Sequence, residues 1–326
     1  MIPLSILELG RVRAGFDRRA ALDSARNLAQ HAERLGFRRM WVAEHHNSPA
    51  VTTAATSVIL SHIAAGTTTL RVGAGGVMLP NHAPYVIAEQ FGTLETLYPG
   101  RIDLGLGRAP GTDQATLRAL RRGPDSAENF PEDVLELQAF LAPRGTVQGI
   151  EAVPGSGTNV PLWILGSSLF GAKLAAALGL PYAFGSHFSP QALYQALEAY
   201  RADFRPSKQL RRPYAMVGVN VVGAETDEEA RLLATSQQMT FADMFRGIPS
   251  LLKPPIADIE TYRTSREKVQ TDQMLSCSIV GDARTVRTGL TRLVADTGAD
   301  ELMIVSDIFD FSKRVRSLEI TAQAAT

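Results

Sequence analysis

The sequence Trp41-Val42-Ala43-Glu44-His45-His46-Asn47 places polar side chains directly after a short apolar run, where a buried β-strand should end. The same arrangement recurs in Gly105-Leu106-Gly107-Arg108-Ala109-Pro110-Gly111. Between these two stretches lies a third apolar run, residues 70–80 (LRVGAGGVMLP), which contains a pair of glycines. Barrel enzymes carry their chemistry at the carboxyl ends of the strands, so these three strand ends predict a functional site at the mouth of a parallel barrel.

Apolar runs of this kind alternate with helical patterns along the whole chain. The predicted strands cover residues 4–9, 40–43, 70–78, 102–107, 162–165, 182–185, 216–222 and 301–305. Eight such strands alternating with helices predict the α/β class and a (β/α)8 TIM barrel. We interpret residues 1–326 as one domain, with insertions at about 144–160 and 241–274 near the mouth. The second insertion is long enough to form a partly helical lid, and residues 321–326 are expected to form a frayed tail.

The composition narrows the class of protein. The chain has 326 residues, 45% of them hydrophobic, and equal numbers (33 each) of basic and acidic side chains. A neutral chain without a basic run gives no electrostatic reason to expect binding to nucleic acid or to a membrane surface. Cys277 is the single cysteine, which excludes an intrachain disulfide and fits a reducing compartment. With no signal-peptide pattern and no membrane-length apolar stretch, we expect a soluble cytoplasmic enzyme.

The Glu44-His45-His46 stretch is open to several interpretations. Adjacent residues of an extended strand point to opposite faces, so one metal ion would not readily take both histidines, and no metal site is predicted. Glu44 or His46 also fits a core position with a hydrogen bond to the backbone. Both histidines are unlikely to be core residues, because a strand end at a barrel mouth is an exposed functional position.

Two further strand ends could bind a phosphate group. Arg108 follows the fourth predicted strand, where an arginine can pair with phosphate or with an anionic ring, and a salt bridge to Glu44 or Glu89 is the alternative. Gly166-Ser167-Ser168 joins the fifth predicted strand to a helix. Free amides and hydroxyls at a helix N-terminus favour phosphate, whereas ordinary capping by a serine is the alternative.

The remaining candidates are a glycine pair and a histidine. Gly75-Gly76 ends the third predicted strand, and it indicates either a bulge or a place where the backbone approaches a flat ligand closely. His187 follows the sixth predicted strand, and it could line the pocket or cap the next helix.

In its order of motifs, the chain resembles the bacterial luciferase-like flavin-dependent monooxygenases. The closest branch is the single-polypeptide, alkanal-monooxygenase-like one. The matching motifs are AEHHN at 43–47, VGAGGVMLP at 72–80, AEQ at 88–90, GRIDLGLGR at 100–108, LGSS at 165–168, LGLPYA at 178–183 and ELM at 301–303. The resemblance therefore spans nearly the whole chain.

The resemblance implies an FMNH2-dependent monooxygenase that uses O2 through a flavin peroxide to oxidise an aldehyde or another small organic substrate. A separate NAD(P)H:flavin reductase would supply the reduced FMN. It implies that His45 is catalytic, which we interpret as a general acid/base role. It also implies a non-prolyl cis peptide that holds the flavin ring at the end of the third strand. The cofactor-binding residues predicted on this basis are Gly75, Gly76, Glu89, Arg108, Gly166, Ser167, Ser168 and His187.

The chain departs from the luciferase pattern at several positions. The luciferase phosphate loop is acidic-Ser-Ala-Ser-Thr, whereas this chain has Gly166-Ser167-Ser168-Leu169-Phe170, so backbone amides must supply more of the binding. The reactive cysteine before the luciferase arginine is Gly107 here, and light emission is not expected. The alternatives are an F420-dependent oxidoreductase of the same superfamily and a non-catalytic flavin-binding protein. The resemblance also implies a homodimer formed by helices near the second to fourth strands.

Overall fold

The computed structural model describes residues 2–109 and 113–325, so Pro110 and Gly111 of the second quoted motif lie outside the described residues. The strands are β1 (Leu4–Glu8), β2 (Arg39–Val42), β3 (Arg71–Met78), β4 (Ile102–Gly107), β5 (Thr146–Val147), β6 (Ile150–Glu151), β7 (Leu162–Gly166), β8 (Tyr182–Phe184), β9 (Ala215–Gly223), β10 (Ile279–Gly281) and β11 (Glu301–Val305). The α-helices are α1 (Arg18–Arg34), α2 (Thr56–Ala64), α3 (Pro84–Leu97), α4 (Gln114–Ala119), α5 (Phe130–Leu141), α6 (Leu169–Leu178), α7 (Leu193–Ala202), α8 (Asp227–Phe245), α9 (Ser265–Met274), α10 (Ala283–Thr297) and α11 (Phe311–Ala324).

Eight parallel strands close into a barrel. Neighbouring strands pair in the order β1, β2, β3, β4, β7, β8, β9 and β11, and β11 pairs in turn with β1. Strand β10 continues the ladder of β9 beyond the part that pairs with β11. Helices surround this sheet, so the predicted (β/α)8 TIM barrel is confirmed.

The eight predicted strands differ from the observed ones by at most one residue at either end. They were recognisable because a parallel barrel strand is covered on both faces and is therefore predominantly apolar. Every residue of β1, β2, β4, β9 and β11 is buried. The barrel interior includes Trp41 and Trp163, whose rings meet edge to face with centroids 5.0 Å apart.

A charged network fills the amino-terminal end of the barrel. The Arg39 guanidinium donates to Asp103 at 2.6 Å and to Glu301 at 2.8 Å, and all three side chains are at most 3% exposed. Arg71 donates to Asp103 at 2.6 Å, and the Trp41 indole donates to the same carboxylate at 3.2 Å. These residues begin their strands, so the network lies at the opposite end of the barrel from the predicted site.

The insertions and the chain terminus add structure that the sequence patterns did not give in detail. Residues 144–160 contain the antiparallel pair β5–β6. In 241–274, the first residues complete α8, and α9 ends the segment, which is therefore partly helical as predicted. The tail was expected to fray from residue 321, but α11 continues to Ala324, with Ile320, Thr321 and Ala324 buried. No helix in the described part of the chain has the length and apolar character needed to cross a bilayer.

Candidate functional site

The residues after β2 form a hydrogen-bonded cluster at the mouth of the barrel. One oxygen of Glu44, Oε1, lies 2.7 Å from His46 Nε2 and 2.7 Å from His82 Nε2. The other oxygen, Oε2, accepts the backbone N–H of Met78 at 3.1 Å. Burial alone would raise the pKa of Glu44, but the bonds from His82, His46 and Met78 outweigh it and lower the pKa. The carboxylate is therefore ionised at neutral pH.

Sequence reasoning missed His82 because it lies 38 residues beyond Glu44 and has no strand-end motif of its own. The fold brings it to the cluster because β2 and β3 are neighbours and His82 follows β3. The ligand atoms of Glu44, His46 and His82 lie within 4.8 Å of one another. Two imidazoles and a carboxylate at this spacing can share protons or hold a divalent metal ion.

His45 is partly buried next to this cluster but does not join its hydrogen bonds. Its Nδ1 atom is buried and has no hydrogen-bond partner among the described residues. Burial and, to a smaller extent, the nearby charge of Arg11 lower the pKa of His45 to about 4. The imidazole is therefore neutral at pH 7 and has a ring nitrogen available to accept a proton.

His187 is the second histidine that follows a barrel strand, and it is partly buried. Burial lowers its pKa to about 4, and its buried Nδ1 atom also has no partner among the described residues. Its ring lies against Gly218, where a Cβ atom would come within 2.5 Å of Nδ1. Helix α7 starts at Leu193 after Ala192, without a side-chain cap. The alternative that His187 caps this helix is therefore wrong, and its ring packs against β9.

Gly75 and Gly76 are joined by a cis peptide bond, where the family resemblance implied one. The β3–β4 register shifts between Ala74 and Val77, so the predicted bulge is also present. A Cβ atom on Gly76 would meet the carbonyl oxygen of Gly105 at 2.7 Å, and one on Gly75 would meet Leu7 Cδ1 at 2.9 Å. Both glycines are thus required by the packing of the chain on itself.

Arg108 lies beside the start of α6. Its guanidinium carbon is 4.1 Å from the centre of the Phe170 ring, and Phe170 is in the first turn of α6. Arg108 is exposed, and among the described residues it makes no ion pair with Glu44 or Glu89, so the predicted salt bridge is not formed. A stacked arginine with free donors can reach an anion placed at this helix N-terminus.

The loop before α6 has the properties expected of an anion site. Ser168 is the N-cap residue of α6, but its side chain makes no capping hydrogen bond. The alternative of ordinary capping by a serine is therefore wrong. Gly166 ends β7, and Ser167 and Ser168 follow at the mouth. The first amides of α6 therefore have no side-chain partner and carry the partial positive charge of a helix N-terminus.

Glu89 lies on α3, where it accepts a hydrogen bond from the Tyr85 hydroxyl one turn earlier in the same helix, which raises the pKa of that tyrosine. The Tyr85 ring packs edge to face on Phe140 of α5. Among the described residues, no ion pair joins Glu89 to Arg108 or to the histidines at the mouth.

Comparison with known protein families gives one match along almost the whole chain. The family model described as luciferase-like monooxygenase matches residues 2–301. A protein of Escherichia coli (strain K12), named luciferase-like monooxygenase, is 49% identical over 320 residues, which cover 98% of this chain and 96% of that protein.

Two solved structures show the same fold. The apo form of MsnO8 superposes with a TM-score of 0.88 at 34% identity, covering 100% of this chain and 98% of that one. The oxygenating constituent of 3,6-diketocamphane monooxygenase from Pseudomonas putida, a type II Baeyer–Villiger monooxygenase in complex with FMN, has a TM-score of 0.73 at 18% identity. That alignment covers 99% of this chain and 97% of the other.

Proposed function

The chain belongs to the luciferase-like monooxygenase family, and on that premise we propose that it is an FMNH2-dependent monooxygenase. The proposed substrates are O2 and an aldehyde or another small organic molecule. Reduced FMN would come from a separate NAD(P)H:flavin reductase, as the family resemblance implies. We infer the reaction class from the family and the cofactor from the geometry of the mouth.

The observation that carries the proposal is the pairing of Arg108 with the uncapped start of α6. Together they offer a guanidinium, helix amides and the hydroxyls of Ser167 and Ser168 to a phosphate group. Arg108 follows β4, which pairs with β3, so the Gly75–Gly76 backbone lies on the neighbouring strand at the same end of the barrel. A phosphate at one place and a flat ring at the other match the two ends of FMN. When bound in its reduced form, FMN supplies the electrons that activate oxygen.

His45 is the side chain proposed to act on the reacting atoms, and His187 is proposed to bind the cofactor. Each is partly buried and neutral, with a buried Nδ1 atom that has no partner among the described residues. His45 Nδ1 can accept a proton from the substrate side and return it, which is the role of a general acid/base. His187 would line the ring-binding part of the pocket.

The 241–274 insertion is proposed to exclude water from the mouth. Its residue Leu252 accepts the backbone N–H of Ala14 at 2.8 Å and donates to the carbonyl of Val12 at 2.9 Å. These bonds hold the insertion against the segment that leaves β1, directly above the strand ends. Excluding water from a closed site suppresses side reactions such as the hydrolysis of reactive intermediates.

Titration with FMN and with riboflavin tests the proposed cofactor site. Arg108→Gln should weaken FMN binding by about 10- to 100-fold, because one hydrogen bond to a charged group is worth roughly 1.5–3 kcal/mol. Riboflavin lacks the phosphate, so its affinity should stay the same. The affinities are measured by quenching of flavin fluorescence.

The control variant is Arg19→Gln, which removes an exposed arginine of α1 that is paired with Asp23. It should leave both affinities unchanged. An equal loss of FMN and riboflavin in Arg108→Gln would show that Arg108 does not contact the phosphate. A parallel titration with F420 separates the flavin proposal from the deazaflavin alternative.

We also propose that the chain forms a homodimer through α2 and α3. A groove between these helices is lined by Val58, Ser61, His62, Ala65, Thr93 and Leu97. Val58 is 69% exposed and Leu97 is 59% exposed, which is unusual for large apolar side chains that stay in water. A second copy of the same surface would bury both.

Val58→Asp is expected to convert the dimer into a monomer, because a carboxylate in an apolar interface would lose its hydration. Sedimentation velocity of the wild type and the variant measures the change. Leu232→Asp is the matched control, since Leu232 is exposed on α8 and should leave the dimer intact. A monomeric wild type would contradict the dimer proposal.

A further inference from the structure

We propose that Glu44 is a positioning residue, whose carboxylate fixes the part of β3 that contains the Gly75–Gly76 peptide. The inference rests on the proposed function, since that peptide is where the flavin ring is placed. Glu44 would act through the backbone of β3 and through His46 and His82, without itself touching the cofactor. The following contacts carry the argument.

The backbone ladder between β2 and β3 stops before the glycine pair. The last paired residues are Val42 on β2 and Ala74 on β3. Beyond Ala74 the β3–β4 register shifts, and β3 pairs with β4 again only from Val77. Gly75 and Gly76 therefore lie in a stretch whose β2 side has no ladder pairs.

The Glu44 carboxylate contacts the chain just beyond the glycine pair. Its Oε2 atom accepts the Met78 N–H, two residues beyond Gly76, at 3.1 Å. Its Oε1 atom accepts from His82, which follows β3, and from His46, which follows β2. One side chain thus ties the end of β2 to two points beyond the glycine pair, so Gly75–Gly76 is held between the Ala74 ladder and the Glu44 contacts.

The burial and charge of the cluster support this role. Glu44 is 1% exposed, and no arginine or lysine pairs with it in the described ranges. The negative charge of its carboxylate is therefore stabilised by the three N–H donors. A glutamine carries no negative charge and has one acceptor oxygen, so it cannot replace both carboxylate oxygens as acceptors of these N–H groups. Glu44→Gln keeps the shape of the side chain and breaks the arrangement.

The chain offers a matched control at the other end of β3. Glu33 of α1 accepts the backbone N–H groups of Thr68 at 2.8 Å, Thr69 at 2.5 Å and Leu70 at 2.8 Å. It therefore also anchors the backbone of this strand through a carboxylate. Because Glu33 acts before β3 starts, Glu33→Gln tests the general effect of loosening the strand, away from the glycine pair.

The experiment combines amide hydrogen exchange with FMN titration on the full-length wild type and both variants. In Glu44→Gln, exchange across residues 76–82 should accelerate, and the FMN affinity should fall by about tenfold or more, the loss expected for one charge-assisted hydrogen bond. In Glu33→Gln, exchange should accelerate at residues 68–71, and the FMN affinity should stay the same. His82→Ala removes one donor and should give a smaller loss of affinity than Glu44→Gln.

Unchanged exchange at 76–82 in Glu44→Gln would overturn the inference, and so would an FMN affinity equal to that of the wild type. Equal losses in Glu44→Gln and Glu33→Gln would also overturn it, because general loosening of β3 would then explain both. If Glu44→Gln does not fold, His82→Ala takes its place with the same criteria. If the wild type binds neither FMN nor F420, the proposed function fails, and the exchange data alone decide whether Glu44 holds the strand.

Discussion

Replacing His45 by alanine is expected to lower turnover by about 10²- to 10⁴-fold, the contribution typical of a positioned general acid or base. His45 is partly buried and neutral, and in the part of the chain that the structure describes its buried Nδ1 atom has no hydrogen-bond partner to lose. The loss of packing should therefore be largely offset by removal of an unpaired polar atom, and the free energy of unfolding should change by about 1 kcal/mol or less. A large kinetic effect with a small stability effect is the signature expected of a catalytic residue.

Turnover is measured as substrate-dependent oxygen consumption, with FMN, NADH and a flavin reductase supplied. The substrate is the first aldehyde that the wild type oxidises in a panel of increasing chain length. His31→Ala is the matched control, because His31 is a partly buried histidine of α1 that packs on Phe311, in the outer layer. Unchanged turnover in His45→Ala, or a loss equal to that of the control, would rule out the proposed role.

Replacing Asp103 by alanine should reduce the free energy of unfolding by about 3–5 kcal/mol, the usual cost of removing one partner from a buried ion pair. Arg39 would keep only Glu301 as a counter-charge, and Arg71 and the Trp41 indole would lose the carboxylate that accepts their hydrogen bonds. Chemical denaturation monitored by tryptophan fluorescence measures the loss. Because the network is at the opposite end of the barrel, FMN affinity per folded molecule should not change.

Asp23→Asn is the surface comparison. Asp23 pairs with Arg19 one turn away on α1, and both side chains are largely exposed, so its loss should cost about 0.5 kcal/mol or less. Similar losses for Asp103→Ala and Asp23→Asn would mean that the buried network contributes no more than an exposed pair.

The sequence predicted secondary structure best where the burial of a residue can be inferred from its neighbours in the chain. The eight barrel strands are predominantly apolar because the closed sheet is covered on both faces, so their positions were predicted to within one residue. Strand β10 was missed because three residues, Ile279–Gly281, are too few for a periodic pattern. The end of α11 was missed because an alternating mixture of small and polar residues at a chain terminus has no strong helical signature.

The candidate site was predicted only in part, because its geometry depends on contacts between strands. The motifs indicated Arg108 and the loop before α6 separately, and the structure joins them through Phe170. The bond between Glu44 and His82 spans 38 residues and could not be read from local spacing. Glu89 belongs to the AEQ motif at 88–90, which is recognisable in the sequence. In the structure, however, it accepts a hydrogen bond from Tyr85 of the same helix.

The central claim is that the barrel mouth holds reduced FMN and controls its reaction with oxygen. The most direct test is to mix the protein with photoreduced FMN under anaerobic conditions, expose the mixture rapidly to oxygen, and follow the absorbance of oxidised flavin. The account predicts that the bound flavin reoxidises more slowly than free FMNH2, and that Arg108→Gln reduces this difference at limiting protein. Reoxidation at the rate of free flavin, with protein in excess, would contradict the account and favour the F420-dependent alternative.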